Sequence, residues 1–473
     1  MLTCFHHKNQ TKYKKPFEMK YSKIAINSKT HAVPTIRFDE QHLTSFSGLV
    51  IFQLLLKALQ LKSRLKQCLE KRLSSQPYGH ATIVLILVVH ITLGYRKLSD
   101  IKYYQNDPMV KHLHGVTSLP DSSTLSRRLN AVEPKHVKRF SRLSQQLVID
   151  RCVEEKLTRI TLDFDGSVIS SKRYAEGVAV GYNKNKKGER SYYPLYCTVA
   201  QTGQVFDMLH RSGNVHDSNG AHNFIIANIR KIREFLPKVA IEVRMDSAFF
   251  SDEIITLLNK QRVEFTISVP FERHTNLKQY LEQEQRWSKV DSAYSTTEID
   301  WKPKSWTKTF RIVGVQRKEL VQQKGVVQLD LFIPYKIGYD FSVIVTNKKC
   351  RAEKVMRYHQ GRGSQEGLFA ELKSQAPMDY IPVRGKAGNQ MYTLCAIMAH
   401  NLNRELQMRI NEKDRTMNAK RAALWVFDSL SRIRNTLFVQ AGRLIRPKGK
   451  FILSMNINDD LKEEMERYSA CLS

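Results

Sequence analysis

Apolar residues recur at spacings of three and four through residues 43–72, in GLVIFQLLLKALQLKSRLKQCLEKRL, with Lys and Arg between them. That period predicts helix. Residues 81–93 form a nearly unbroken apolar run, interrupted by His90. The run is shorter than the roughly 20 residues of a membrane span, so it predicts a buried helix. Another helix is predicted to begin over 97–104. In LPDSSTLSRRLNAV, Pro120 stops what precedes it, and Asp121 or Ser122 can cap a helix whose first turns carry Ser123, Thr124, Arg127 and Arg128.

The texture changes at Leu157. LTRITLDFDGSVIS alternates and is rich in β-branched residues, which predicts a strand ending at Gly166. SYYPLYCTVAQTGQVFDMLHR predicts two more strands joined at Thr202 and Gly203. Residues 223–235 predict a helix, VAIEVRMDSAFF a further strand, and 252–260 a helix after it. Strands followed by helices give an α/β class with a mixed sheet. From 263 to 349 the pattern is mostly strand, in FTISVPF, TKTFRIVGVQR, VVQLDLFIPY and FSVIVTNKK. Helical texture returns at Glu366, over 391–409 and over 419–439. The chain divides on this reading into an N-terminal arm and helical region (1–150), an α/β part (151–262), a β-rich insertion (263–350) and a helical completion of the core (351–473).

Composition adds a partner. The 473 residues carry 76 Lys and Arg against 45 Asp and Glu, a formal net charge of +31. An excess of this size fits a polyanion, nucleic acid first of all, with a ribosome-associated or membrane-surface protein as the blander alternative. The basic segment 1–35 then reads as an arm on DNA or a plain tail. The capped helix with Arg127 and Arg128 suits entry into a major groove, although an ordinary surface helix shows the same pattern. The 7 cysteines form no CxxC pair, which points to neither a zinc ribbon nor a disulfide framework and suits a reducing cytoplasm. The basic N-terminus has no apolar signal core.

Three acids stand where chemistry is commonly built. Asp165 and Asp246 end strands, and Glu366 starts a helix. Converging carboxylates can hold hard cations through oxygen, and two such ions can activate a water or hydroxyl at a phosphodiester. Singly, an Asp at a strand end is more often a turn or cap residue. Asp163 lies two residues before Asp165 and shares its face of the strand, so it is a candidate supporting residue. Arg362, Glu366 and Lys373 fall within about 40° of one another on a helix. Tyr358 joins that face only if the helix passes Gly361 and Gly363. A solvated face with an Arg–Glu pair is the alternative.

These residues resemble the DDE transposases of bacterial insertion sequences, in the branch with a Tyr-Arg-Glu-Lys signature, and are most similar to the insertion sequence family numbered 1380. The motifs are LDFDGSV (162–168), GYN (181–183), SYYPL (191–195), HRSGN (210–214), RMDSAFF (244–250) and the segment 358–373. The resemblance implies an RNase H-like catalytic core with a β-rich insertion, and an N-terminal helical DNA-binding region. It implies two Mg²⁺ ions, replaceable by Mn²⁺, on Asp165, Asp246 and Glu366. Arg362, Lys373 and Tyr358 would contact DNA. Three residues rather than the usual two separate Tyr358 from Arg362, so His359 occupies the strict tyrosine position. Trp287, Trp301 and Trp306 are available to hold a flipped base, or are core residues of the insertion. The implied partners are double-stranded DNA, as terminal inverted repeats and target, and a second copy in a synaptic dimer. No membrane is implied, and the implied location is the bacterial cytoplasm and nucleoid. An inactivated or domesticated transposase and an RNase H-like nuclease without strand transfer are the rival readings; a tyrosine or serine recombinase is more distant.

Overall fold

The computed structural model describes residues 33, 35–36, 38–70, 78–171, 174–181, 183, 186–215, 220–284, 286–322 and 335–472. The arm at 1–32, Tyr182 of the GYN motif and most of VVQLDLFIPY lie outside the described residues.

Among the described residues, nine strands form one mixed sheet. They are β1 (Arg159–Gly166), β2 (Leu195–Val199), β3 (Gln204–Leu209), β4 (Ala240–Met245), β5 (Glu264–Ser268), β6 (Ser288–Lys289), β7 (Tyr294–Ile299), β8 (Arg311–Gln322) and β9 (Tyr335–Thr346). The order across the sheet is β6-β7-β8-β9-β5-β4-β1-β2-β3. β1 runs parallel to β4, and β4 parallel to β5, while β2 and β3 are antiparallel additions on the other side. The strands from 288 onward are not a separate sheet: β9 pairs with β5 and continues the central one.

Alternation explains how β1 and β4 are buried on both faces. Ile160, Leu162 and Phe164, with Ile241, Val243 and Met245, belong to one apolar cluster. The opposite face carries Thr161, Asp163, Glu242 and Arg244, which are also buried. Buried charge is tolerated only when paired and hydrogen-bonded. Here Lys348 and Arg421 meet Glu242 at 2.6 and 3.0 Å, and Arg244 meets Asp163.

The helices before the sheet are α1 (Leu49–Ala58), α2 (Leu61–Leu69), α3 (His80–Thr92), α4 (Pro108–His114), α5 (Ser122–Asn130) and α6 (Pro134–Glu154). Within and after it come α7 (Ala221–Phe235), α8 (Asp252–Lys260), α9 (Thr275–Gln283), α10 (Ala352–Gln360), α11 (Ser364–Gln375) and α12 (Lys386–Ile410). α3 is the predicted buried helix, covered along nearly its whole length. No helix among the described residues is long and apolar enough to cross a membrane. α12 joins the helices to the sheet. Its Asn401 accepts from Val205 N at 2.9 Å and donates to Val205 O at 2.7 Å, satisfying both backbone groups of a β3 residue. Residues 42–473 form one compact unit.

Three helical expectations are corrected. The span 43–72 opens with a short strand at Leu43–Thr44 and breaks at Gln60, whose φ is 50°. Residues 98–103 make a 3-10 helix, with Asp100 accepting from Lys97 N at 2.8 Å. The expected helix at 419–439 exists only from Leu430 onward, as Leu430–Ile433 and Arg434–Phe438. Residues 419–429 use their main chain for tertiary bonds instead: Lys420 O accepts from Arg244 at 2.6 Å and Leu424 N donates to Gln201 O at 2.9 Å.

Candidate active site

The polar face of β1 ends at Asp165. Its Oδ1 accepts from Gly166 N at 2.8 Å, and the side chain keeps 18% exposure. On the neighbouring parallel strand Phe164 is in register with Met245, so Asp165 and Asp246 are the next residues on adjacent strands. Adjacent strands lie about 4.8 Å apart, so the main chains at these two positions are neighbours at one end of the sheet. Asp246 also caps the turn Ser247–Phe249, accepting from Ala248 N at 3.0 Å.

Glu366 lies in the first turn of α11 and is 73% exposed. Arg362, in the short 3-10 turn Gly361–Gly363 between α10 and α11, links it to the strands. Its Nη1 is 3.3 Å from Asp165 Oδ2, and its Nη2 is 4.0 Å from Glu366 Oε1. Lys373 is half-buried further along α11. Burial lowers its pKa, while the charges of Asp379 and Asp165 act the other way. Asp165, Glu366, Arg362 and Lys373 therefore share one neighbourhood, with Asp246 on the adjoining strand end.

The remaining candidates lie elsewhere. Tyr358 faces inward, 2% exposed, with Lys348 Nζ 4.2 Å and the Arg244 guanidinium 5.3 Å from its ring centre. It packs the underside of the site and does not face solvent. His359 bridges Thr266 and Ser268 of β5 at 2.9 and 2.8 Å. Burial, with Arg362 and Arg244 nearby, lowers its pKa to about 3, so it docks α10 as a neutral ring. Arg127 and Arg128 sit on α5; Arg127 is exposed and donates to Thr124 at 3.1 Å, while the charge of Arg128 acts on His80.

Two residues that the sequence does not single out are central to the arrangement. Arg244 lies two positions before Asp246, and Gln365 immediately precedes Glu366; both bond to Asp163. Nothing in the pattern flags Arg244 except a charge in the middle of an apolar strand.

Asp165, Asp246 and Glu366 offer only oxygen donors, the kind that hard divalent ions take. Among the described residues, no group of three His, Cys, Asp or Glu side chains is gathered closely enough to hold a metal ion as it stands. The donors fit by kind and by neighbourhood, with Arg362 lying between the first acid and the third.

A family model for the transposase DDE domain, group 1, matches residues 28–472. The chain belongs to this DDE transposase family. Among solved structures, the transposase is similar to the piggyBac transposase synaptic complex with hairpin DNA, 12% identical over 83% of this chain and 79% of that one, with a TM-score of 0.39. It is also similar to the Mos1 transposase paired-end complex with the left transposon end, 9% identical over 41% of this chain and 60% of that one, with a TM-score of 0.17. No curated protein matches the transposase.

Proposed function

We propose that this transposase binds the terminal inverted repeats of a mobile element, cleaves DNA phosphodiesters and joins the freed 3′ hydroxyl to target DNA. The observation that carries the reading is the pair of strand-end carboxylates, Asp165 and Asp246, with Arg362 3.3 Å from Asp165 and 4.0 Å from Glu366. Asp165, Asp246 and Glu366 would hold two Mg²⁺ ions, or Mn²⁺ in their place. When bound, such ions activate the attacking oxygen and stabilise the leaving one. Arg362 and Lys373 place positive charge where a scissile phosphate would enter, and charge-assisted bonds to phosphate fix its position. The net charge of +31 supplies the general attraction to DNA.

The same reading takes residues 1–150 as the part that grips the element's ends, 151–262 and 351–473 as the RNase H-like core, and 263–350 as its insertion. It assigns the chain to the insertion-sequence branch of the family, working as a dimer in the bacterial cytoplasm. The Tyr-Arg-Glu-Lys assignment is carried here by Arg362, Glu366 and Lys373, since Tyr358 is buried.

The test is strand cleavage of DNA carrying the element's own ends, in Mg²⁺, by wild type and Glu366→Ala. Cleavage by wild type alone, with equal DNA binding, supports the three-carboxylate site. Equal cleavage by both removes Glu366 from it, and binding without cleavage by either favours a domesticated DNA-binding protein. A pre-cut end separates strand transfer from plain nuclease action, since a nuclease gives no joined product.

A further inference from the structure

Asp163, the other acid of the LDFDG strand, is 1% exposed and held from two directions. Arg244 Nε and Nη2 donate to its two carboxylate oxygens at 2.5 and 2.7 Å. Gln365 Nε2 donates to its main-chain carbonyl at 3.1 Å and to Thr198 Oγ1 at 3.2 Å. The third guanidinium nitrogen of Arg244, Nη1, donates to Tyr358 O at 3.0 Å and to Lys420 O at 2.6 Å.

Each of these residues stands beside a candidate metal-binding acid. Asp163 is two positions before Asp165, Arg244 two before Asp246, and Gln365 one before Glu366. We propose that Asp163, Arg244 and Gln365 are positioning residues that fix the mutual placement of the three carboxylates, and that Asp163 is not itself a metal ligand. The inference rests on the site reading given above.

The chemistry of the donors supports this division of labour. Both oxygens of Asp163 are engaged by a guanidinium that is itself fully buried. An ion could take them only by displacing that arginine. A single lysine ammonium could not replace Arg244, because only the planar fork serves a carboxylate and, in other directions, two carbonyls. The chain has also made room for it: a Cβ on Gly361 would lie 2.1 Å from Arg244 Nη1 and 1.9 Å from Lys420 O. Gln365 ties α11 to β1 one residue from Glu366, so a shift of that anchor passes directly to the third acid. A misplacement of about 1 Å can cost about a hundredfold in rate.

The test compares wild type, Gln365→Leu, Arg244→Lys, Asp163→Asn and Asp165→Asn as full-length chains. Four quantities are read: melting temperature, Mn²⁺ binding by electron paramagnetic resonance, and both kcat and KM for cleavage of end DNA. Gln365→Leu is expected to melt within a few degrees of wild type and keep its KM for DNA. Its kcat should fall tenfold or more, and the Mn²⁺ concentration for half-saturation should rise several-fold. Arg244→Lys should lower kcat with partial retention of Mn²⁺ binding. Asp163→Asn should lower the melting temperature, whereas Asp165→Asn should lose Mn²⁺ binding with little change in melting. Wild-type kcat and Mn²⁺ binding in Gln365→Leu would overturn the proposal. So would an Asp163→Asn chain that melts normally and loses Mn²⁺ as Asp165→Asn does. If Asp165→Asn itself binds Mn²⁺ and cleaves normally, the underlying site reading fails, and the proposal with it, whatever Gln365→Leu does.

Discussion

Arg362 Nη1 lies 3.3 Å from Asp165 Oδ2, so a cation from the turn before α11 partly neutralises the acid at the end of β1. A divalent ion bound at Asp165 would compete with that contact and release the guanidinium toward a DNA phosphate. Removing Arg362 should therefore separate two effects. Arg362→Ala is expected to bind Mn²⁺ at least as tightly as wild type, because a competing positive charge is gone. Its cleavage should fall by about 10²-fold, as when a preorganised charge-stabilising donor is removed. Paramagnetic titration alongside single-turnover cleavage measures both. Weaker Mn²⁺ binding with unchanged cleavage would assign Arg362 a purely structural role.

Trp306 is 9% exposed and packs 4.7 Å from the Phe250 ring and 6.3 Å from Phe310, ring centre to ring centre. Trp287 donates from Nε1 to Glu284 O at 2.8 Å, and Trp301 lies 4.9 Å from the His274 ring. All three pack against the core of the central sheet. Trp306→Ala is expected to cost about 3–5 kcal/mol of stability through reduced burial and the cavity left behind. Equilibrium denaturation checks the value. A change under about 1 kcal/mol, with weakened binding of end DNA, would instead support a base-holding role.

Much of the sheet is legible in the chain because one face of each central strand is uniformly apolar. The alternation of Ile160, Leu162 and Phe164 marks β1, and Ile241, Val243 and Met245 mark β4. What the pattern does not reveal lies on the opposite face. Asp163 and Asp165 share a side of the strand by period, and only depth distinguishes them: one is enclosed by Arg244, the other reaches the strand end. Depth depends on residues far away in sequence, among them Lys420 and Gln365, so no local pattern carries it. The same cause explains 419–429. Leu424 and Trp425 make it look like part of a helix, but its carbonyls and amides answer Arg244 and the β2–β3 turn instead of one another. The β-rich stretch is recognisable as strand, yet its continuity with the core sheet depends on the pairing of β9 with β5, which sequence spacing does not specify.

Buried histidines give the protein an acid-sensitive stability. Burial is the largest cause that lowers His90 and His114 to about 4 and His210 and His359 to about 3, from an ordinary 6.5. In the unfolded chain these rings take up protons below about pH 6.5, while in the folded chain they stay neutral until pH 3–4. The unfolded state then binds more protons in that interval. Stability is thus complete above about pH 6.5 and is lost as pH falls toward 4, by up to about 1.4 kcal/mol per pH unit for each ring. Melting temperature should fall steeply from pH 6.5 to 4 and stay nearly level from 7 to 8. His359→Gln should flatten the acid limb. A melting temperature independent of pH down to 4 would contradict the buried, neutral state of these rings.

Helix α5 is capped by Asp121, which accepts from Thr124 N at 2.6 Å, and it packs through Leu125 and Leu129. Its Ser122, Ser126 and Asn130 line a groove of about 740 Å³ together with Arg96, Lys97 and Arg384. Arg127 stands exposed beside that polar face. A helix that presents short hydroxyls and guanidinium groups can meet phosphates, base edges or both. Salt dependence distinguishes these. If Arg127 and Arg128 meet phosphates, Arg127→Ala/Arg128→Ala should weaken binding to end DNA and to unrelated duplex alike. The slope of log affinity against log salt should then become shallower by up to about 2, or roughly 0.9 for each phosphate no longer neutralised. If either reads a base, the preference for the element's ends should drop by about 1–3 kcal/mol, while binding to unrelated duplex changes less. Fluorescence anisotropy across a salt series, on both DNAs, measures the two quantities together. Unchanged affinity and unchanged slope would take α5 off the DNA and leave it as a capped surface helix.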